Sequence, residues 1–214
     1  MILEDSKKVE KFFKEAITKV TITDQRKVLL KSIAQKASDS SNKSTDSLYL
    51  NFICTHNSRR SQLAQVWAYF AADYFNILKI QSYSGGTAVT AFYKNTVKTL
   101  QSVGFTFNVA EFNHQNPKYE ISFNSAVKPL LGFSKLYNDT VNSEQYIAIT
   151  TCSSADQNCP FIPNALFRFH LPFNDPKEFD DTEHAEQAYL KASRQIAAEV
   201  FIIFKEMKSL SEKN

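Results

Sequence analysis

At 214 residues and 24.4 kDa, with 43% hydrophobic residues and 18 Phe, the chain holds enough apolar material for one packed domain and an additional segment. The formal charge of +3 resides in the first 47 residues, where ten Lys/Arg face seven Asp/Glu; the remaining 15 of each sign cancel, which leaves no basic stripe for nucleic acid or an anionic membrane. No run is long enough to span a bilayer, the N-terminus carries no apolar signal core, and three cysteines suit a reducing compartment better than a secreted disulfide framework, so a cytoplasmic location is expected.

Residues 6–18 place Val9, Phe12, Phe13 and Ala16 on one side of a helix, and Asp24 is positioned to cap a second helix holding Val28, Leu29, Leu30 and Ile33. SDSSNKSTDS (38–47) reads as a polar linker. Residues 1–47 are therefore expected to form a helical extension. It either docks on the body, offers a homodimer surface or meets a partner, and residues 48–214 form the main domain.

From Leu48 the pattern changes. LYLNFIC is a strand-like run ending at Cys54; a polar loop, THNSRRS, follows, and then a helix in which Leu63, Val66, Trp67 and Phe70 recur at helical spacing. Ser58 and Ser61 are candidate caps for it. IQSYS (80–84) is a second short strand closed by Gly85-Gly86, where the backbone needs either positive φ or close approach, and 91–103 is a helix with Gly104 as its C-cap. This βαβα order points to a parallel sheet. FTFNVAEF and KYEISF flank HQNP as a hairpin or an edge excursion, and loops are marked at Gly132-Phe133-Ser134 and Asn138-Asp139. QYIAITT (145–151) is a buried strand that runs into Cys152. CSSADQNCP reads as a mobile polar loop carrying Cys152 and Cys159, ALFRFHL (165–171) as another strand before Phe173-Asn174-Asp175-Pro176, and 182–207 as a long helix whose buried face includes Tyr189, Ile196, Val200 and Phe204.

Cys54 and Arg60 bracket five residues. After a strand and before a helix, backbone N–H groups of such a loop (Thr55, His56, Asn57, Ser58, Arg59 and Ser61) can curl around a tetrahedral oxyanion, helped by the positive end of the helix dipole. Arg60 can close the ring with two charge-assisted hydrogen bonds, and the same field favours thiolate at Cys54. The bland reading is that Cys54 is a small buried hydrophobe and Arg60 a solvated helix residue. Ligands of open parallel sheets sit beyond the carboxyl ends of the strands, which places Cys54 and Cys152 at the same edge. Cys152 and Cys159 are either partners of Cys54, inert core or half of a zinc site; the four scattered His show no ligand spacing with them, so no metal is expected. Asp175 is placed either as a proton donor to a leaving oxygen or as a turn residue before Pro176.

Taken together, CTHNSRRS, the YSGG turn at 83–86, TTCSSADQNCP and FNDP resemble the thioredoxin-coupled, three-cysteine arsenate reductases, which share their fold with the low-molecular-weight protein tyrosine phosphatases. The resemblance spans about residues 48–205. It implies an α/β fold: an open, mainly parallel four-stranded sheet with helices on both faces, here with an N-terminal helical extension. It implies Cys54 as the nucleophile on arsenate held by the loop and Arg60, Asp175 as the acid, and attack by Cys152 on the arsenic-bearing Cys54 with expulsion of arsenite. Attack by Cys159 then leaves a Cys152–Cys159 disulfide for thioredoxin to reduce, with no bound cofactor. Ser61 would steady the thiolate and Asn57 the loop backbone.

Two positions depart from the family pattern. His56 stands where Gly is usual; a left-handed backbone there carries a cost, and the ring narrows the mouth of the site. Arg59 stands where a small or apolar residue, often Cys, is usual, and either adds a second cation beside the oxyanion or points into solvent. The alternatives are a tyrosine phosphatase hydrolysing a phospho-Cys54 intermediate and a non-catalytic oxyanion-binding or redox-sensing module. Lys177-Glu178-Phe179 after Asp-Pro, where the phosphatases usually carry tyrosines, weighs against the first.

Overall fold

The computed structural model describes residues 2–43, 46–77, 79–124, 128–142, 145–158 and 161–213. From the N-terminus, helices α1 (Ile2–Lys19) and α2 (Asp24–Lys43) precede strand β1 (Leu48–Cys54), helix α3 (Arg60–Tyr74), strand β2 (Ile80–Gly86) and helix α4 (Lys94–Ser102). Strands β3 (Thr106–Glu111), β4 (Lys118–Ser122) and β5 (Leu130–Gly132) follow, then β6 (Tyr146–Thr150), the short helix α5 (Ser153–Asn158), β7 (Ala165–His170) and the long helix α6 (Ala185–Ser211).

Four strands make one parallel sheet in the order β2-β1-β6-β7, as the βαβ pattern requires. The two runs around HQNP form an antiparallel hairpin, which β5 extends to a separate three-stranded sheet.

Side chains alternate across β1. Leu50 and Phe52 enter the main core with Trp67 of α3 and Ile196 and Phe204 of α6, whereas Ile53 enters a smaller cluster with Tyr146, Ala148 and Ala155 of α5. Helices therefore cover both faces, with α5 alone in the smaller cluster. Cys54 ends the central strand on the side of α5.

The first two helices belong to this main core. Phe12 and Phe13 of α1 stack on Trp67 with ring centroids 5.3 and 5.6 Å apart, and Phe13 also meets Phe70 edge-on at 5.1 Å. Both α1 and α2 pack on α6. The apolar stripe of α1, which the sequence left open as docked on the body, dimer-forming or partner-binding, is docked within the chain: Val9, Phe13 and Ala16 are fully buried. The stretch read as a linker from 38 is helical through Lys43, with Ser38 and Ser41 buried, because small polar side chains continue a helix where it closes on its neighbours. The cap of α2 is Thr23, whose Oγ1 accepts from the Arg26 N–H at 3.3 Å; Asp24 instead pairs with Lys27.

Candidate active site

The loop after β1 is shaped by its carbonyls. That of Cys54 accepts from the Thr87 N–H, that of Thr55 from the Ala88 N–H and the Thr87 hydroxyl, and that of His56 from the Thr90 and Ser134 hydroxyls. The Asn57 carbonyl accepts from the Gln62 amide, and the Ser58 carbonyl from the Tyr93 N–H and the Thr96 hydroxyl. With these carbonyls tied outward to the scaffold, the N–H groups of His56 through Arg59 donate to no acceptor among the described residues. A run of unpaired N–H groups at a helix start is the kind of arrangement that can bind an anion.

The backbone turns at Asn57, whose φ of 46° is left-handed, while His56 is not among the positive-φ residues. The expected strain at His56 is therefore displaced by one position, onto a residue type that tolerates it; the His56 side chain is exposed. Asn57 is fixed on both sides: its Oδ1 accepts from the Lys135 N–H at 2.9 Å and its Nδ2 donates to Ser61 Oγ at 2.9 Å. Ser61 Oγ lies 3.0 Å from Cys54 Sγ. Because Asn57 donates to Ser61, the serine proton is free to point at the sulfur. Neither Ser58 nor Ser61 caps α3; the N-cap is Arg59, with no side-chain cap bond. The two glycines at the end of β2 serve close approach and not positive φ. A Cβ on Gly86 would lie 2.7 Å from Asn57 N and 2.9 Å from Thr55 O, and one on Gly85 would strike Tyr137.

The two adjacent arginines diverge. Arg60 Nη1 donates to the Phe173 carbonyl at 3.0 Å and Nη2 to Asp175 Oδ2. Asp175 Oδ1 accepts from the Lys177 N–H at 3.1 Å, so Asp175 both pairs with the loop arginine and caps the 3-10 turn Pro176–Phe179. The Arg59 side chain is largely withdrawn from solvent and turns to other partners. It donates to Asp180 and, at 2.6 Å, to the Tyr189 hydroxyl, and lies 4.0 Å over the Tyr93 ring. Burial works against its charge, but the hydrogen bonds and proximity of Tyr189 and Asp180 outweigh that and raise its pKa. Tyr189 is pushed up by burial and by its bond to Asp180.

Cys152 is buried like Cys54 and shares the small apolar cluster with it. Its Sγ lies 3.4 Å from Thr55 Oγ1 and accepts from the Ala155 N–H at 3.4 Å. Cys159 lies outside the described residues. The segment between them, read as a mobile loop, is helical over 153–158. Asp156 pins it, accepting from Arg168 at 2.6 Å and from the Thr150 hydroxyl at 2.8 Å, with His170 at 3.5 Å. Among the described residues no group of three or more His, Cys, Asp or Glu is placed to hold a metal ion, and no helix is long and apolar enough to cross a membrane.

Gln62, Ser134 and Lys135, which hold the loop from outside, carry no signal in the sequence because their contacts are set by tertiary structure. Gln62 Nε2 bridges the carbonyls of Asn57 and Phe133. Lys135 is 3% exposed, and burial pushes its amine down to about 8, partly opposed by Asp139. A cavity of about 440 Å³, lined by Tyr69, Ser82, Phe133 and Lys135 among others, lies behind this scaffold and not at Cys54.

No family model matches the chain. It is 29% identical over 126 residues, 58% of its length, to an arsenate reductase of Staphylococcus aureus strain Newman, of which the match covers 76%. Over 132 residues it is 27% identical to arsenate reductase 2 of Staphylococcus epidermidis RP62A, covering 61% of this chain and 80% of that protein. The chain is thus similar to curated arsenate reductases over more than half of its length. Among solved structures it is similar to a low-molecular-weight phosphotyrosine phosphatase from Vibrio cholerae O395, at 14% identity and a TM-score of 0.48, covering 78% of this chain and 99% of that one. The helix that follows the Cys54 loop is backed by a helical arm, α1 and α2, that shares the core with Trp67.

Proposed function

We propose that the protein is an arsenate reductase in which residues 48–214 are the catalytic unit, working in a reducing cytoplasm with thioredoxin or a similar dithiol as electron donor. The observation that carries this reading is the second buried thiol. Cys152 Sγ stands 3.4 Å from the hydroxyl of the residue that follows Cys54, where hydrolysis of a phosphoester would have no use for it.

In the proposed cycle the N–H groups after Cys54 bind arsenate, and Arg60 turns its remaining donors to the oxyanion. The Cys54 thiolate, steadied by Ser61, attacks arsenic; an As–O bond breaks, and Asp175 gives the departing oxygen a proton so that it leaves as water. Cys152 thiolate then attacks the Cys54 sulfur. An S–S bond forms, the S–As bond breaks with its electron pair going to arsenic, and As(V) leaves as arsenite. Cys159 thiolate displaces Cys54 from Cys152, which restores the nucleophile and leaves a Cys152–Cys159 disulfide for the external dithiol. His56 borders the mouth, and Arg59 holds the frame without touching the oxyanion.

The test is to incubate reduced protein with arsenate alone, titrate free thiols and map disulfides by peptide mass. A Cys152–Cys159 disulfide formed only with arsenate is expected; three unchanged thiols would refute the reading. In parallel, Cys152→Ser should stop arsenate turnover while sparing hydrolysis of a small aryl phosphate, and Cys54→Ser should abolish both.

A further inference from the structure

The segment that delivers Asp175 is held from several directions. The N–H groups of Leu171 and Phe173 donate to the carbonyls of Thr150 and Thr151 at 2.8 and 3.1 Å, which ties the segment to the end of β6. Its carbonyls are taken by two arginines in succession. Arg60 of the nucleophile loop donates to Phe173 O at 3.0 Å, and Arg26, on the first turn of α2, donates through Nη2 to Pro172 O at 2.8 Å. Proline has no N–H, so this carbonyl is the only backbone hydrogen-bonding group Pro172 possesses. The Arg26 guanidinium also lies 5.1 Å over the Phe173 ring, and its Nε donates to Glu199 Oε1 of α6 at 2.8 Å.

Glu199 sits in an unusual place for a charge. Its side chain is 2% exposed, burial raises its pKa against the pull of Arg26, and its Oε2 has no partner among the described residues. A buried ion pair is a poor stability device compared with an apolar pair of the same volume. This one orients a rigid fork whose other prong reaches Pro172, three residues before Asp175.

We infer that Arg26 is a positioning residue for Asp175, supplied by the N-terminal arm. Glu199 fixes the guanidinium, the guanidinium fixes Pro172 and Phe173, and these set the approach of the carboxyl to the nucleophile loop. The role of Asp175 in proton delivery is the one proposed above, and the inference rests on that reading. It gives α2 a part in the reaction through the segment that carries Asp175.

The test uses the full chain and three variants. Arg26→Met/Glu199→Gln removes the fork without stranding a buried charge, Arg26→Lys keeps the charge but cannot reach both acceptors, and Asp175→Asn provides the background for a cycle. With aryl phosphate as substrate, both Arg26 variants should lower kcat about tenfold and leave inhibition by inorganic phosphate within about twofold, because geometry at the acid is lost and anion binding is not. In the Asp175→Asn background the same substitutions should change the rate less than about twofold. Losses that multiply in that background, or an unchanged kcat, would overturn the inference. Absence of the arsenate-dependent disulfide in the parent protein would sink the reductase reading while leaving this cycle readable on aryl phosphate. Amide exchange supplies a readout free of turnover: the 171–179 peptide should exchange about tenfold faster in Arg26→Met/Glu199→Gln, and unchanged exchange would refute the positioning role by itself.

Discussion

Replacing Lys135 by Met should stabilise the protein at neutral pH, and the gain should fade in alkali. The amine is 3% exposed and titrates near 8 in the folded chain against an ordinary 10.5. At about 1.36 kcal/mol per unit, the gap corresponds to about 3 kcal/mol of penalty for holding the charge inside. Below pH 8 both folded and unfolded chains carry the proton, so the penalty is fully present at pH 7. Between 8 and 10.5 the unfolded chain keeps more protons than the folded one, so parental stability rises with pH and the penalty falls to about 1 kcal/mol at pH 9.5. The Phe133 ring, 4.7 Å from Nζ, returns about 1 kcal/mol that Met forfeits. The expected net gain is about 2 kcal/mol at pH 7 and about 1 kcal/mol at pH 9.5, where the folded amine is neutral and the ring contact returns nothing. The loop is spared, since Asn57 is held by the Lys135 backbone N–H. Urea unfolding of both proteins at the two pH values gives the difference of differences, from which other alkaline titrations cancel. A gap between variant and parent that is the same at both pH values would show that Lys135 is not buried as a charge.

Three further outcomes follow from contacts already described. Phe13→Ala, which strips an aromatic ring from the stack on Trp67, should cost about 3–5 kcal/mol in chemical unfolding; a loss below about 1 kcal/mol would mean that α1 is not part of the core. Gly86→Ala sets a Cβ within 2.9 Å of loop backbone and should weaken inorganic phosphate as a competitive inhibitor at least about tenfold with the sheet intact by circular dichroism, while unchanged inhibition would contradict the close approach. Ser61→Ala removes the hydroxyl 3.0 Å from Cys54 Sγ and should slow alkylation of Cys54 by iodoacetamide at pH 7 severalfold; an equal rate would show that the serine does not support the thiolate.

The strand, loop and helix around Cys54 were legible because the signals are local: an apolar run, a fixed C-x5-R interval, and a periodic helix. The parallel sheet followed from the alternation of such units. What escaped the sequence was decided at long range. The direction of Arg59 is set by Asp180 and Tyr189, 121 and 130 residues away, and nothing near Arg59 distinguishes it from its neighbour Arg60. Helix α5 lacks apolar periodicity, and its order comes from Asp156 reaching across to β7. The helical stretch 38–43 was hidden by its serines, which favour turns in isolation and are tolerated here where α2 is buried. Arg26 was unremarkable in a charged helix until Pro172 and Glu199 came against it.

Helix α5 also bears on the chemistry proposed for the two later cysteines. Six helical residues advance the chain by about 9 Å, whereas a disulfide demands Cα atoms roughly 4.4–6.8 Å apart. A helix between two sulfurs that are to be joined holds the chain extended where the bond needs its ends close. If the proposed Cys152–Cys159 bond unwinds α5 as it closes, the grip of Asp156 on Arg168 and Thr150 goes with it. Oxidation would then write itself into the shape of the surface, so that a reducing partner could tell a spent molecule from a fresh one by backbone form before it meets any sulfur.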